Sequence, residues 1–142
     1  MKERAYSWID QSRDRLIGIS EQIWQYAEVG LRECKSAKLQ ADVLRECGYE
    51  VEMGVAGMPT AFVARWGEGG PRIGYLGEYD ALPGLSQKPV PERAPLEEGR
   101  PGHGCGHNLL GTSLMGAALG SQQAMKDHQL QGTLVYFGCP AE

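Results

Sequence analysis

No run of apolar residues in this 142-residue chain approaches the roughly 18 that a membrane span needs. The opening Met1-Lys2-Glu3-Arg4 leads into further charge rather than an apolar core, so no signal peptide is expected. A basic excess is missing as well. Lys and Arg number 14 against 18 Asp and Glu, the net charge is -4 and the pI is near 5.4, so no nucleic-acid partner is expected. There is no Gly-x-Ser-x-Gly elbow and no Gly-x-x-x-x-Gly-Lys-Ser/Thr loop, and the glycines of 102–106 do not follow Gly-x-Gly-x-x-Gly. Serine hydrolysis and phosphate cradling therefore lose support. Cysteines are few: Cys34, Cys47, Cys105 and Cys139 form no dense framework. Without a secretory feature they read as reduced thiols of a cytoplasmic protein, with Cys34, Cys47 and Cys139 as small buried hydrophobes.

What is present is enough for one globular domain, with 42% hydrophobic and 23% charged residues. Ala5, Ile9, Leu16, Ile19 and Ile23 recur at helical spacing and predict a helix over about 3–28. Ala37, Ala41, Leu44 and Cys47 predict a second over 35–47, closed by Gly48. The period then shortens to two. Strands are expected at 51–55, 61–66 and 72–76, the last two as a hairpin across a glycine-rich turn. A proline-rich loop follows to residue 102, long enough to be functional or mobile. Asn108 is a plausible N-cap for a helix over 109–126, whose interior glycines suggest close packing on a sheet. The continuous run Leu134-Val135-Tyr136-Phe137 reads as a strand covered on both faces. The order implies an α/β fold, a layered mixed sheet with helices on both faces. Because the best-buried strand comes last, the domain is expected to be incomplete, a fragment of a longer protein.

Chemistry concentrates in Pro101-Gly102-His103-Gly104-Cys105-Gly106-His107-Asn108. Cys105 and His107 share a side only if this stretch is extended or looped, which its glycines permit. The start of the following helix would favour a thiolate at Cys105. Glu78 and Asp80 stand two apart at the end of an expected strand, and Glu142 follows the last one. In open α/β sheets that edge is where ligands bind. Thiolate, imidazole and carboxylate together suit Zn²⁺, Mn²⁺ or Co²⁺. Spacing alone leaves three readings open. They are a metal site, a Cys105 nucleophile activated by His103 or His107, and a glycine-rich turn with a buried thiol.

Three segments appear in one order: Gly-Glu-Tyr-Asp-Ala-Leu-Pro-Gly (77–84), His-Gly-Cys-Gly-His-Asn (103–108) and Gly-Thr-Leu-Val-Tyr-Phe-Gly-Cys-Pro-Ala-Glu (132–142). Together they resemble the first three motifs of the aminoacylase/carboxypeptidase metallopeptidase family, in its amidohydrolase branch. Trp24 to Glu33 fits that branch as well. The resemblance implies a zinc-peptidase-like catalytic domain with Cys105 and His107 as metal ligands. It implies Glu142 as the general base toward a metal-bound water, and Asp80 as a catalytic-site residue supporting the centre from behind. Glu78 stands where other branches carry a ligand histidine, and His103 orients the loop.

By the same resemblance the complete enzyme holds two divalent ions, Mn²⁺ or Zn²⁺. It hydrolyses the amide of a small N-acyl amino acid or an aryl amide of glutamate, as a homodimer or with a related subunit. Residues 1–142 would be the N-terminal part of the catalytic domain. Its remaining ligands and the lid or dimerisation domain would be absent, and the fragment inactive alone. Two other outcomes follow from the residues themselves: a cysteine hydrolase using Cys105, or a non-catalytic truncated module.

Overall fold

The computed structural model describes residues 1–142. Its elements are α1 (Lys2–Gln11), α2 (Arg13–Tyr26), α3 (Cys34–Glu46), β1 (Glu50–Met53), β2 (Phe62–Glu68), β3 (Arg72–Glu78), α4 (His107–Asp127) and β4 (Gly132–Cys139). The layered mixed α/β fold is the expected one. The single N-terminal helix is two, broken at Ser12, where φ and ψ of -94° and 6° leave the helical basin. The break lets α1 and α2 approach α4 along different lines: Ala5 and Ile9 face Gly120, while Leu16 faces Gly116. Of the α4 glycines only Gly111 meets the sheet, against the carbonyl of Glu78.

The sheet order is β1-β2-β4-β3. Strand β4 runs antiparallel to β2, with Phe62 opposite Gly138, and parallel to β3, with Glu78 opposite Cys139. The expected β2–β3 hairpin is thus opened, and β4 occupies the place between its arms. The apolar run of β4 suits a central strand, whereas β3 carries Gly74 and Gly77 and takes the edge. Parallel neighbours need a long crossover, and the loop after β3 together with α4 provides it.

Helices cover one face of the sheet within these residues. On that face Phe62 stacks on Tyr79 and Tyr136 at centroid distances of 6.1 and 5.8 Å, and Ile23, Leu44, Met115 and Leu119 close the core. The Tyr136 hydroxyl reaches Gln40 Oε1 at 2.7 Å and the Gly111 carbonyl at 3.0 Å, tying α3 and α4 to the central strand. The opposite face shows Phe137 and Leu76, 39% and 63% exposed, so β4 alternates rather than being covered on both sides. No helix is long and apolar enough to cross a membrane.

Candidate functional site

Because β3 and β4 are parallel neighbours, their carboxyl ends lie side by side. Glu78 ends β3, Asp80 follows two residues later, and Cys139 to Glu142 leave β4 at the same edge. The first turn of α4 is delivered there by Gly106, which takes the N-cap at φ 80° and ψ 24°, a left-handed conformation that favours glycine. Asn108 is therefore not the cap. It lies inside the helix and donates its amide to the Ser20 hydroxyl at 3.1 Å, pinning α4 to α2.

His107 thereby enters the edge only 6% exposed. Its Nδ1 lies 2.7 Å from Oδ1 of Asp80, itself 4% exposed, and its Nε2 lies 3.0 Å from Oε2 of Glu78. A neutral imidazole has one proton for two carboxylates. One ring nitrogen must then turn a lone pair toward an acid unless a second proton or a cation intervenes. With Nδ1–H donated to the buried Asp80, Nε2 and Glu78 become a facing pair of donors. This is the usual support of a metal-bound histidine, whose other ring nitrogen bonds a carboxylate. Their 3.0 Å separation also fits two donors sharing one ion at about 2.0–2.2 Å each.

The remaining expected residues are placed differently. Cys105 is solvent-exposed on the loop before α4. His103 is half-buried; its Nε2 donates to the Ile23 carbonyl at 3.1 Å, its Nδ1 is buried without a partner, and burial pulls its pKa down. Its ring thus anchors the loop to the end of α2. Glu142 is exposed beyond β4. Burial first, then the carboxylates of Glu78 and Glu142, push the Cys139 thiol pKa up, so both acids act on the same point of the edge. No group of three or more His, Cys, Asp or Glu side chains converges as a ready metal cage. The chain brings together His107, Asp80 and Glu78, whereas Cys105 and Glu142 are exposed and take no part in that contact. Neither histidine is bonded to Cys105: His107 faces two carboxylates and His103 Nε2 is turned to α2.

Two further acids carry no signal in the sequence. The Glu28 carboxylate caps α3, accepting from the backbone of Lys35 and Ser36 and from the Ser36 hydroxyl. Glu33 is fully buried and accepts from Leu31, Thr60 and Ala141. Charged residues between two helices look solvated in sequence, and only the register of the fold shows that they are not. Cys34 departs from expectation in the other direction, since it is exposed.

No family model matches the chain. Individual proteins do. It is 41% identical over 135 residues to a subunit of p-aminobenzoyl-glutamate hydrolase from Escherichia coli, covering 94% of this chain and 28% of that protein. Hippurate hydrolase of Campylobacter jejuni is 32% identical over 124 residues, covering 87% of this chain and 31% of the relative. Among solved structures, a dinuclear metal-binding peptidase of the M20 family from Bacillus subtilis superposes with a TM-score of 0.73 at 27% identity, over 94% of this chain and 36% of that one. An aminobenzoyl-glutamate utilization protein from Klebsiella pneumoniae shares the fold at a TM-score of 0.64 and 17% identity, over 98% of this chain and 39% of that one. The chain thus spans about a third of the length of the proteins it matches, which are hydrolases acting on amide or peptide C–N bonds. Over these residues the chain is similar in sequence to amidohydrolases and, in fold, to a peptidase of the M20 family.

Proposed function

We propose that these residues form the N-terminal part of the catalytic domain of a metal-dependent amidohydrolase that cleaves a small N-acyl amino acid. A p-aminobenzoyl-glutamate-like substrate is the first choice, given the similarity to the E. coli hydrolase. The single observation that carries the reading is His107 held between Asp80 and Glu78. His107 and Cys105 hold the metal in this proposal, Asp80 fixes the imidazole through Nδ1, and Glu78 faces the same position. A divalent ion such as Zn²⁺ or Mn²⁺, two in the complete enzyme, would polarise the scissile carbonyl and acidify the attacking water. Glu142 takes the proton from that water and passes it to the leaving amine. The remaining metal ligands come from outside residues 1–142, so this stretch alone binds metal weakly and does not turn over substrate. A second copy or a related subunit completes the assembly, and the four unpaired cysteines support a reducing, cytoplasmic setting.

Elemental analysis of the intact protein, with Cys105→Ser and His107→Ala beside it, tests the ligand assignment. Bound metal is expected in the parent and a loss of it in both variants. Hydrolysis of p-aminobenzoyl-glutamate should stop on chelation and return with added ion. Activity that survives chelation but not Cys105→Ser would instead establish a cysteine nucleophile. An intact protein with neither metal nor hydrolysis would be a non-catalytic module.

A further inference from the structure

A fully buried carboxylate with no Lys, Arg or His beside it is costly, because only dipoles stabilise its charge. Glu33 is fully buried, and its hydrogen-bond partners are all neutral donors. Its Oε1 accepts the N–H groups of Leu31 and Ala141, each at 2.9 Å, and its Oε2 accepts the Thr60 hydroxyl at 2.9 Å. Those donors belong to three separate segments: the α2–α3 loop, the residues before β2, and the residues after β4. Thr60 carries the connection further, since its carbonyl accepts the Tyr79 hydroxyl at 2.6 Å. Tyr79 is the residue between Glu78 and Asp80, and Ala141 is the residue before Glu142.

The same loop touches both strand tips through its backbone. Ala81, next to Asp80, donates its N–H to the Glu28 carbonyl at 2.7 Å, and Val29 bridges Ala81. Gly30 lies so close to Ala141 that an added Cβ would sit 3.0 Å from the Ala141 Cβ. Ala141 itself holds φ at 57°, which a non-glycine residue adopts only when surrounding contacts impose it. The bond from its N–H to Glu33 is one such contact.

We propose that Glu33 is a positioning residue that sets the placement of Glu142 relative to the Asp80–His107 pair. It touches no substrate; it acts by fixing the Ala141 backbone and, through Thr60 and Tyr79, the tip of β3. The inference rests on the proposed role of Glu142 as base, and the experiment separates the two. In the intact protein, Glu33→Ala should lower kcat by about tenfold to a hundredfold, the cost of a misplaced catalytic group. KM should stay within roughly twofold of the parent, since Cys105 and His107 are delivered by the start of α4 and not by the residues Glu33 bonds. Glu33→Gln keeps an acceptor oxygen for the Ala141 N–H and should recover most of the rate. Amide hydrogen exchange at Ala141 should quicken by about tenfold or more in Glu33→Ala and remain slow in Glu33→Gln. Should Glu33→Ala fail to fold, Glu33→Asp, one methylene too short to reach Ala141, carries the same expectation. A folded Glu33→Ala or Glu33→Asp with parental kcat, or with unchanged exchange at Ala141, overturns the inference. Retained activity in Glu142→Gln overturns the role of Glu142 instead, and the exchange measurement still reads the Glu33 contact.

Discussion

His107 Nδ1 and Asp80 Oδ1 meet at 2.7 Å with both side chains buried, joining the first residue of α4 to the tip of β3. The contact fixes which ring nitrogen is free and where it points. Replacing Asp80 by Ala would leave the ring able to rotate and to exchange its tautomer. Loss of such a supporting carboxylate usually weakens metal binding about 10–100-fold. Titration calorimetry with Zn²⁺ or Mn²⁺ should show that drop for Asp80→Ala in the intact protein, while the exposed Glu52→Ala matches the parent. Equal affinities would remove Asp80 from the site.

Thiol accessibility gives an independent check on Cys105. Cys105 and Cys34 are exposed, whereas burial raises the pKa of the Cys47 thiol and leaves less thiolate at a given pH. Alkylation followed by mass spectrometry should label Cys105 and Cys34 first and Cys47 last. Added Zn²⁺ or Mn²⁺ should then protect Cys105 and spare the labelling of Cys34, because a coordinated sulfur is no longer a free nucleophile. Protection of neither thiol would argue that Cys105 is not a ligand.

The Tyr136 hydroxyl tests how strongly the helices are tied to the central strand. It is buried between Gln40 Oε1 and the Gly111 carbonyl, and burial pushes its pKa well up, so it stays a neutral donor through the working pH range. Tyr136→Phe removes the one hydroxyl proton that Gln40 Oε1 and the Gly111 carbonyl share and leaves Gln40 Oε1 without its buried donor, a change worth about 1–3 kcal/mol of stability. Urea unfolding should report that loss with an unchanged m-value. A variant as stable as the parent would mean that water or a shifted Gln40 amide replaces the hydroxyl.

Much of this architecture is legible in the sequence. Helical and strand periods locate the elements to within a few residues, because each follows from which positions are apolar, but they run α1 and α2 together across the break at Ser12. The i, i+2 pair Glu78/Asp80 and the glycine-spaced His103-Cys105-His107 stretch mark the site for the same local reason. Strand order is not legible: periodicity reports which face is buried, not which neighbour a strand pairs with, so nothing in it places β4 between β2 and β3. The cap of α4 is hidden too, because Asn108 spends its amide on Ser20, a tertiary partner 88 residues away. Glu33 stays invisible for a related reason, since its three donors meet only after the chain has folded.

The glycines of α4 provide a prediction whose sign differs between two positions of one helix. Alanine is favoured over glycine in a helix interior by about 1 kcal/mol, so each Gly→Ala change begins with a gain. At Gly116 the added methyl meets Leu16 Cδ1 at 3.2 Å, the end of a flexible side chain that moves a few tenths of an ångström at little cost. Gly116→Ala should therefore be neutral or up to about 1 kcal/mol stabilising. At Gly111 the methyl would overlap the Glu78 carbonyl oxygen and lie 2.7 Å from Gln40 Nε2, both fixed by the sheet and core. Backbone cannot yield as Leu16 does, and the helix must lift, at an overpacking cost of about 1–3 kcal/mol that exceeds the gain. Since His107 lies one turn before Gly111, that lift also draws the imidazole away from Glu78 and Asp80. Thermal unfolding should rank the variants Gly116→Ala, parent, Gly111→Ala, and only Gly111→Ala should lose affinity for Zn²⁺. A stable Gly111→Ala with parental metal binding would show that α4 does not bear on β3 as closely as the geometry requires.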